Sequence, residues 1–248
     1  NAIRYARKES VPEHLKRVSE LWARFNEVAI QNPNAWIQDA FTAEEIRTPT
    51  DTNRRISFPY TKMMNANMSV DMGAAIILCS VEKARELRIP EEKWVYPLAG
   101  VQGYDHFSAS VRDNFHSSPG LGLVGKRVME LAKVSPEEID YVDLYSCFPS
   151  AVQIAAQELG FPEERQLTVT GGLTFGGGPL NNYVMHAVAR TVELLRETSG
   201  KKAFVSANGG NLYKHVHCVY SSQAPEEPYQ YENIQQEINE IEEEKSLD

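Results

Sequence analysis

Three short segments hold the residue types that could do chemistry. Residues 171–183 read GGLTFGGGPLNNY, with five glycines in the first eight positions. Unpaired backbone N–H groups converge where a helix starts, so a glycine run feeding a helix is a candidate phosphate cradle. A Walker loop would close in Gly-Lys-Ser/Thr, and Pro179-Leu180 stands there instead. The position after QLTVT and before a helix suits a dinucleotide turn. However, the spacing is not GxGxxG, and no acidic residue sits where a ribose partner belongs. On residue pattern alone, a structural turn and a ligand loop both stay open.

The second segment is DLYSCFPSA, residues 143–151, where a strand gives way to a helix. Open α/β sheets place functional groups at such junctions. Cys147 at a helix N-terminus is a candidate nucleophile with a depressed thiol pKa. The competing reading, a small buried cysteine, is preferred because no base lies near it in sequence. Tyr145 is a candidate proton or hydrogen-bond donor, against the alternative of a core aromatic with a satisfied hydroxyl. The third segment is SANGGNLYKHVHC, residues 206–218. A strand ending in Asn208-Gly209 offers backbone amides to a pocket. His215 and His217 share a strand face, but no third ligand accompanies them, so no metal site is assigned and exposed histidines are expected.

These segments need elements to position them. HLKRVSELWARFNEVAI (residues 14–30) repeats apolar residues at helical spacing, and Asn32-Pro33-Asn34 stops it. TAEEI is a short helix capped by Thr42 with Glu45 three residues on. From Asn65 the pattern becomes α/β. VDMGAAIILCS reads as a strand buried on both faces, followed by a helix capped by Ser80. WVYPLAGVQGY reads as a strand broken by Pro97 and Gly100, and residues 121–134 as a helix. Ser135-Pro136-Glu137-Glu138 is a helix-start signature, YVDLYSC a strand, and PSAVQIAAQELG a helix ending at Gly160. A helix over 181–197 and strands AFVSAN and HVHCVYSS complete the body, the last near a sheet edge. The order predicts a mostly parallel sheet layered with helices.

The chain has 248 residues, enough for one large or two small domains, with 42% hydrophobic and 24% charged residues, an ordinary globular composition. Its net charge of −9 is a tail property: from Pro225 onward there are nine acidic residues and one lysine. With no basic surplus in the body, nucleic-acid binding has no electrostatic support. No apolar run reaches about 18 residues, so no membrane span is expected. The odd number of cysteines, three, argues against a disulfide framework and for a reducing, cytoplasmic setting. NAIRYARKES lacks an apolar signal region and an initiator Met, as in a processed or excised piece. In the tail, Ile234, Ile238 and Ile241 form a thin apolar stripe on an acidic helix. A solvated extension is preferred to a helix docking another domain or chain.

Taken in order, these segments resemble a thiolase-fold protein of the acetyl-CoA acetyltransferase and sterol-carrier-type thiolase group. VDMGAAIILCSVEKARELRI resembles the segment closing the N-terminal half of that fold. SPEEIDYVDLYSCFPSAVQIAAQELG resembles the strand and helix carrying the Asn-Glu-Ala-Phe or His-Asp-Cys-Phe motif. TGGLTFGGGPLNNYVMHAVART resembles the His-Gly-x-Pro loop, and FVSANGG the strand with the last motif, Cys-x-Gly. The resemblance implies an α/β thiolase-like fold of which this chain is part. It divides the chain into a helical loop region (1–64), the closing strands and helix of the N-terminal half (65–110), the C-terminal half (111–222) and an acidic tail (223–248). It also implies a coenzyme A thioester as substrate, no covalently bound cofactor, a partner half supplied by a preceding segment or another chain, and a homo- or hetero-oligomer.

The departures from the family pattern bear on the chemistry. The acyl-carrying cysteine belongs to a half mostly absent here, and Cys79 lies in the wrong segment. The loop histidine falls at Gly178, before Pro179, which removes an oxyanion donor. The motif histidine falls at Tyr145, with Cys147 and Phe148 retained, and the last-motif cysteine falls at Ser206 or Ala207. Tyr145, Cys147 and Asn182 are the catalytic candidates. Gly176, Gly177, Gly178, Pro179, Asn181, Asn208 and Gly209 are the substrate-binding candidates, with Asn181 and Asn182 offering replacement hydrogen bonds. The implied activity is acyl-CoA binding with thiolase chemistry altered or lost. One alternative is a retro-aldolase acting on β-hydroxyacyl-CoA through Tyr145, with Tyr183 or Tyr213 second. The other is a non-catalytic subunit or scaffold.

Overall fold

A computed structural model describes residues 1–244; the last four residues of the acidic tail lie outside it. Helices α1 (Ala2–Ala6), α2 (Val11–Gln31) and α3 (Ala43–Arg47) open the chain, followed by a small hairpin of β1 (Arg55–Ser57) and β2 (Tyr60–Thr61). The main body contains α4 (Val81–Glu86), β3 (Tyr96–Tyr104), α5 (Pro119–Leu131), β4 (Tyr141–Asp143), α6 (Pro149–Leu159), α7 (Tyr183–Glu197), β5 (Lys202–Gly209) and β6 (Lys214–Ser221). It ends in β7 (Gln230–Asn233) and α8 (Gln235–Glu244).

Local signals set most boundaries. Ser10 and Glu13 form a capping box on α2, and Thr42 and Glu45 form one on α3, each satisfying N–H groups the first turn leaves open. Ser80 caps α4, and Gly160 closes α6 in the left-handed region, where glycine meets no Cβ penalty. Helix α7 starts at Tyr183, two residues later than its pattern predicts, because Leu180–Asn182 form a 3-10 turn first.

The five-stranded sheet has the order β4-β5-β6-β3-β7. β4 pairs parallel with β5 and β7 parallel with β3, while β6 lies antiparallel between β5 and β3. Four strands therefore run one way and β6 against them, giving a mixed sheet layered with helices. Successive residues of a strand face opposite sides. Phe204 of β5 thus joins a core built with Leu121, Val124 and Val128 of α5, while Val205 packs with Tyr183, Ala187 and Val188 of α7. Among the described residues no helix is long and apolar enough to cross a membrane.

Four expectations change. Residues 70–80, read as a doubly buried strand, form no strand among the described residues, and Ile77 and Leu78 are exposed. An apolar run becomes a strand only where another lies alongside, and here none does. β3 is continuous through Pro97 and Gly100, because a register shift between Pro97 and Ala99 absorbs the missing proline N–H. β6 is interior rather than near an edge. The tail is docked and not simply solvated: β7 extends the sheet, and Ile234 and Ile238 are buried in the main core.

Candidate functional site

The strand β4 ends in a charged residue, Asp143, that the fold buries completely. A buried carboxylate requires donors, and the glycine-rich stretch brings them. The Tyr183 hydroxyl donates to Asp143 Oδ1 at 2.8 Å, while Oδ2 accepts from the Val169 N–H at 2.9 Å and the Thr168 hydroxyl at 3.0 Å. Burial nevertheless dominates and raises the Asp143 pKa above the usual carboxylate value. Asp143 was absent from the sequence-derived candidates. Its signal was a charge inside an otherwise apolar strand.

The glycine run is a buried packing element. Residues Gly172–Gly176 form a single π-helical turn entered by Gly171 at φ +96° and left by Gly177 at φ +108°. A methyl group on Gly171 would come within 2.4 Å of Ala29 Cβ, and one on Gly172 within 2.6 Å of the Phe25 ring, so α2 can lie on the run only where glycine stands. Trp22 Nε1 donates to Thr174 Oγ1 at 3.0 Å, and Asn32 Nδ2 to the Thr170 carbonyl at 3.0 Å, fastening α2 to the same stretch. Four amides of the run are engaged within the fold. Gly171 and Gly172 donate to Thr168 Oγ1, Leu173 to Ser146 Oγ, and Gly178 to the Asn67 carbonyl. These four amides are therefore closed to a phosphate.

Around this stretch, Tyr145, Cys147 and Asn208 come together at the ends of β4 and β5. The Tyr145 N–H donates to Ser206 Oγ at 2.9 Å, and its ring meets the Tyr183 ring edge-on at 5.5 Å. Burial, with the neighbouring Cys147, raises the Tyr145 phenol pKa. Burial also pushes the Cys147 thiol up to about 11, against the pull of the Phe148 backbone and the Asn208 side chain that hydrogen-bond it. A depressed thiol, the alternative to the preferred buried cysteine, does not arise here, because desolvation outweighs the helix end. Ser206 is buried, half-buried Ala207 carries no ionisable group, and Tyr183 is held within the Asp143 network. Tyr213 lies in the β5–β6 hairpin against Phe107, at 5.2 Å between rings.

The remaining candidates come to differing distances from this group, Gly178 packing on Ala66, whose N–H donates to the Cys147 carbonyl at 3.1 Å, and Gly209 following Asn208. Gly176 and Gly177 line a cavity of about 480 Å³ with Trp36, Met72, Tyr183 and His186, whose walls do not include Tyr145, Cys147 or Asn208. Gly178 is buried beside Asn67 and Ala66, and Pro179 is half-buried. Asn181 is exposed and Asn182 half-buried on the turn into α7, while Gly209 ends β5 opposite Lys214. Trp36, Met72 and Asn67 were also missed, since nothing local marks residues brought in from segments so far from the glycine run in sequence.

His215 and His217, expected to be exposed, are buried. His215 Nε2 lies 2.9 Å from Asp105 Oδ2, and the His217 ring stacks edge-on to Phe204 at 5.1 Å. Burial lowers the His217 pKa well below its ordinary value. The alternation of β6 was visible in sequence, but α5 covering that face was not. Among the described residues no group of three or more His, Cys, Asp or Glu could hold a metal ion.

No protein-family profile matches the sequence. An acetyl-CoA acetyltransferase of Methanothermobacter thermautotrophicus is 25% identical over 202 residues, 75% of this chain and 51% of its own length. A 17-hydroxy-3-oxo-4-pregnene-20-carboxyl-CoA lyase of Mycobacterium tuberculosis is 26% identical over 189 residues, 69% of this chain and 47% of its own length. Among solved structures, a monomeric SCP2-thiolase-like protein type 1 from Mycobacterium smegmatis matches with a TM-score of 0.82 and 32% identity, over 92% of this chain and 50% of that one. The chain spans about half the length of these relatives.

Proposed function

We propose that this chain, which carries part of a thiolase-like fold, belongs to a protein that binds acyl-CoA thioesters with thiolase chemistry altered or lost. The observation that carries this reading is Gly178. At the position the resemblance gives to a loop histidine there is no side chain, and the amide is engaged by Asn67. Nothing at that position can polarise a thioester carbonyl. Cys147, with its thiol pushed up to about 11, is a poor nucleophile near neutral pH. The thioester-binding candidates are Gly176–Pro179, Asn181, Asn208 and Gly209, and Asn182 stands with Tyr145 and Cys147 as a catalytic candidate. The rest of the fold comes from a longer chain or a partner subunit.

A second reading, retro-aldol cleavage of a β-hydroxyacyl-CoA, is favoured by Tyr145 and by the relative named as a CoA lyase. In that reaction the β-hydroxyl loses its proton and becomes a carbonyl as the Cα–Cβ bond breaks. The electron pair passes to the thioester enolate, and Cα is then reprotonated. A phenol kept protonated by burial, as at Tyr145, suits that last step. This cleavage needs no acyl-cysteine.

Mass spectrometry after incubation with acetyl-CoA tests both readings, and the Tyr145 variant separates them. A stable acyl-cysteine adduct would restore thiolase chemistry and remove both. In the retro-aldol reading, Tyr145→Phe lowers cleavage by about 10²–10⁴-fold, and undiminished turnover rules Tyr145 out. Failure to bind any CoA thioester leaves the scaffold alternative.

A further inference from the structure

Three successive residues at the end of β3 link the C-terminal tail to the strands that carry the candidate site. Gly103 has no Cβ, and Ile234 and Ile238 fill the space one would take. Tyr104 is held as if by a further strand. Its N–H donates to Gln235 Oε1 at 2.8 Å, and Gln235 Nε2 donates to its carbonyl at 2.9 Å. The ladder between β7 and β3 stops at Gln102, and Gln235 carries it on to Tyr104. Asp105 then turns inward. Its N–H donates to the Tyr213 carbonyl at 2.9 Å, and its Oδ1 accepts from the Gly120 N–H at 2.8 Å. Its Oδ2 accepts from the Ser118 hydroxyl and lies 2.9 Å from His215 Nε2. Asp105, Ser118 and His215 are all buried.

These contacts continue in register across the sheet. Gly103 pairs with His215 of β6, and His215 pairs with Asn208 of β5. Tyr104 pairs with Lys214, and Lys214 with Gly209. Asn208 in turn hydrogen-bonds the Cys147 thiol beyond the end of β4. Ladder bonds run across strands, so the position of the β3 end is passed along this row. A row of neighbours thus leads from the tail to Cys147. The tail's own hold is divided. Ile234 and Ile238 are buried, whereas Arg127 meets Glu232 at 2.6 Å and Glu237 at 2.8 Å through ion pairs that stay partly exposed. Exposed pairs contribute little by themselves. The β7 ladder, the Gln235 bonds and the two isoleucines therefore fix the tail against β3.

We propose that the tail is a strap that restricts access to Cys147, with Gln235 as its positioning residue. Gln235 fixes the end of β3 and, through His215 and Asn208, keeps Cys147 in its buried setting. Release of Gln235 lets the ends of β3, β6 and β5 open and admits water and reagents to the thiol. The strap concerns the accessibility of Cys147, so it stands apart from whichever reaction the site supports.

Iodoacetamide labelling of the complete protein at about pH 7.5, read site by site through peptide mapping, tests the strap in Gln235→Ala, Gln235→Glu and Thr42→Ala. Exposed Cys79 reports the reagent, and Cys218, within β6 and paired with Gly100 and Val205, reports opening of the whole sheet. Gln235→Ala loses both bonds to Tyr104. It should label Cys147 about tenfold faster, the scale of losing such bonds at a site that reacts through local opening. Cys79 and Cys218 should stay within about twofold. Gln235→Glu keeps an acceptor for the Tyr104 N–H and should fall between the unaltered protein and Gln235→Ala. Thr42→Ala removes a helix cap in the loop region and lowers stability generally, yet should leave Cys147 within about twofold. An unchanged Cys147 rate in Gln235→Ala overturns the proposal. So does equal acceleration of Cys147 and Cys218, or acceleration of Cys147 by Thr42→Ala, since either makes the effect one of overall stability. Gln235→Glu labelling as fast as Gln235→Ala overturns the positioning role of Gln235.

Discussion

Asp143 shows how one residue sets the frame of the site. Its carboxylate gathers Tyr183, Thr168 and the Val169 amide, and Tyr183 in turn props the Tyr145 ring. Asp143→Ala strands these donors in a buried place and should cost about 3 kcal/mol in urea unfolding. Asp143→Asn should cost about 1 kcal/mol, because the hydroxyls can turn to suit an amide. The pH dependence has a definite sign. A carboxylate whose folded pKa lies above its unfolded value of about 3.9 binds its proton more tightly when folded. Its contribution is complete below that value and is lost as pH rises through the folded pKa. The stability gap between the native protein and Asp143→Asn should therefore narrow as pH is raised from about 4 to 8. A gap that widens would contradict the raised pKa. Cys147 gives a second residue-scale expectation. With its thiol pushed up to about 11, iodoacetamide at pH 7.5 should modify exposed Cys79 first and Cys147 slowly, the latter accelerating steadily toward pH 10. Peptide mapping of the alkylated protein reads this directly, and fast labelling of Cys147 at neutral pH would count against its desolvation.

At the scale of elements, the tail is the clearest departure from its composition. β7 adds to the sheet beside β3, and Ile238 then drops onto Gly103, where a methyl group would come within 2.3 Å of it. Arg127 clasps the tail through Glu232 at 2.6 Å and Glu237 at 2.8 Å. Ile238→Asp should destabilise the protein by about 3 kcal/mol through lost packing and a buried charge. Ile241→Asp, at a half-buried position, should cost under about 1 kcal/mol. Equal effects in chemical denaturation would mean that the stripe is not docked as described. The apolar stripe was readable, yet its docking partner was not, because Gly103 lies more than a hundred residues away. The same distinction holds elsewhere. The caps at Thr42 and Ser80 and the glycine at Gly160 were legible because a cap is satisfied within one turn of chain. The interior place of β6, the burial of His215 under Ser118 and Asp105, and the meeting of Asn208 with Cys147 depend on pairings between distant segments. Sequence identified Tyr145, Cys147 and Asn208 as individual candidates, while their surroundings came only from the fold.

For the whole molecule, the decisive feature is the stretch from Asp71 to Cys79. It lies beside α7 without regular secondary structure or a ladder partner among the described residues, and Ile77 is 93% exposed and Leu78 76%. An apolar stretch of backbone outside any ladder is open to pairing with another strand. The chain also spans about half the length of its relatives, so the surface that this stretch presents is suited to covering by further protein, in the same chain or another. Taken alone at tens of micromolar, the chain should self-associate in sedimentation velocity. Ile77→Lys/Leu78→Lys should shift it toward monomer, because edge lysines oppose strand addition. The thermal midpoint of the variant should stay within about 2 °C, since both side chains are mostly exposed. Monodisperse monomer before any substitution would show that the stretch needs no cover. Association that survives the lysines would place the contact elsewhere, and the exposed Phe107 and Phe115 would then be the next surface to alter.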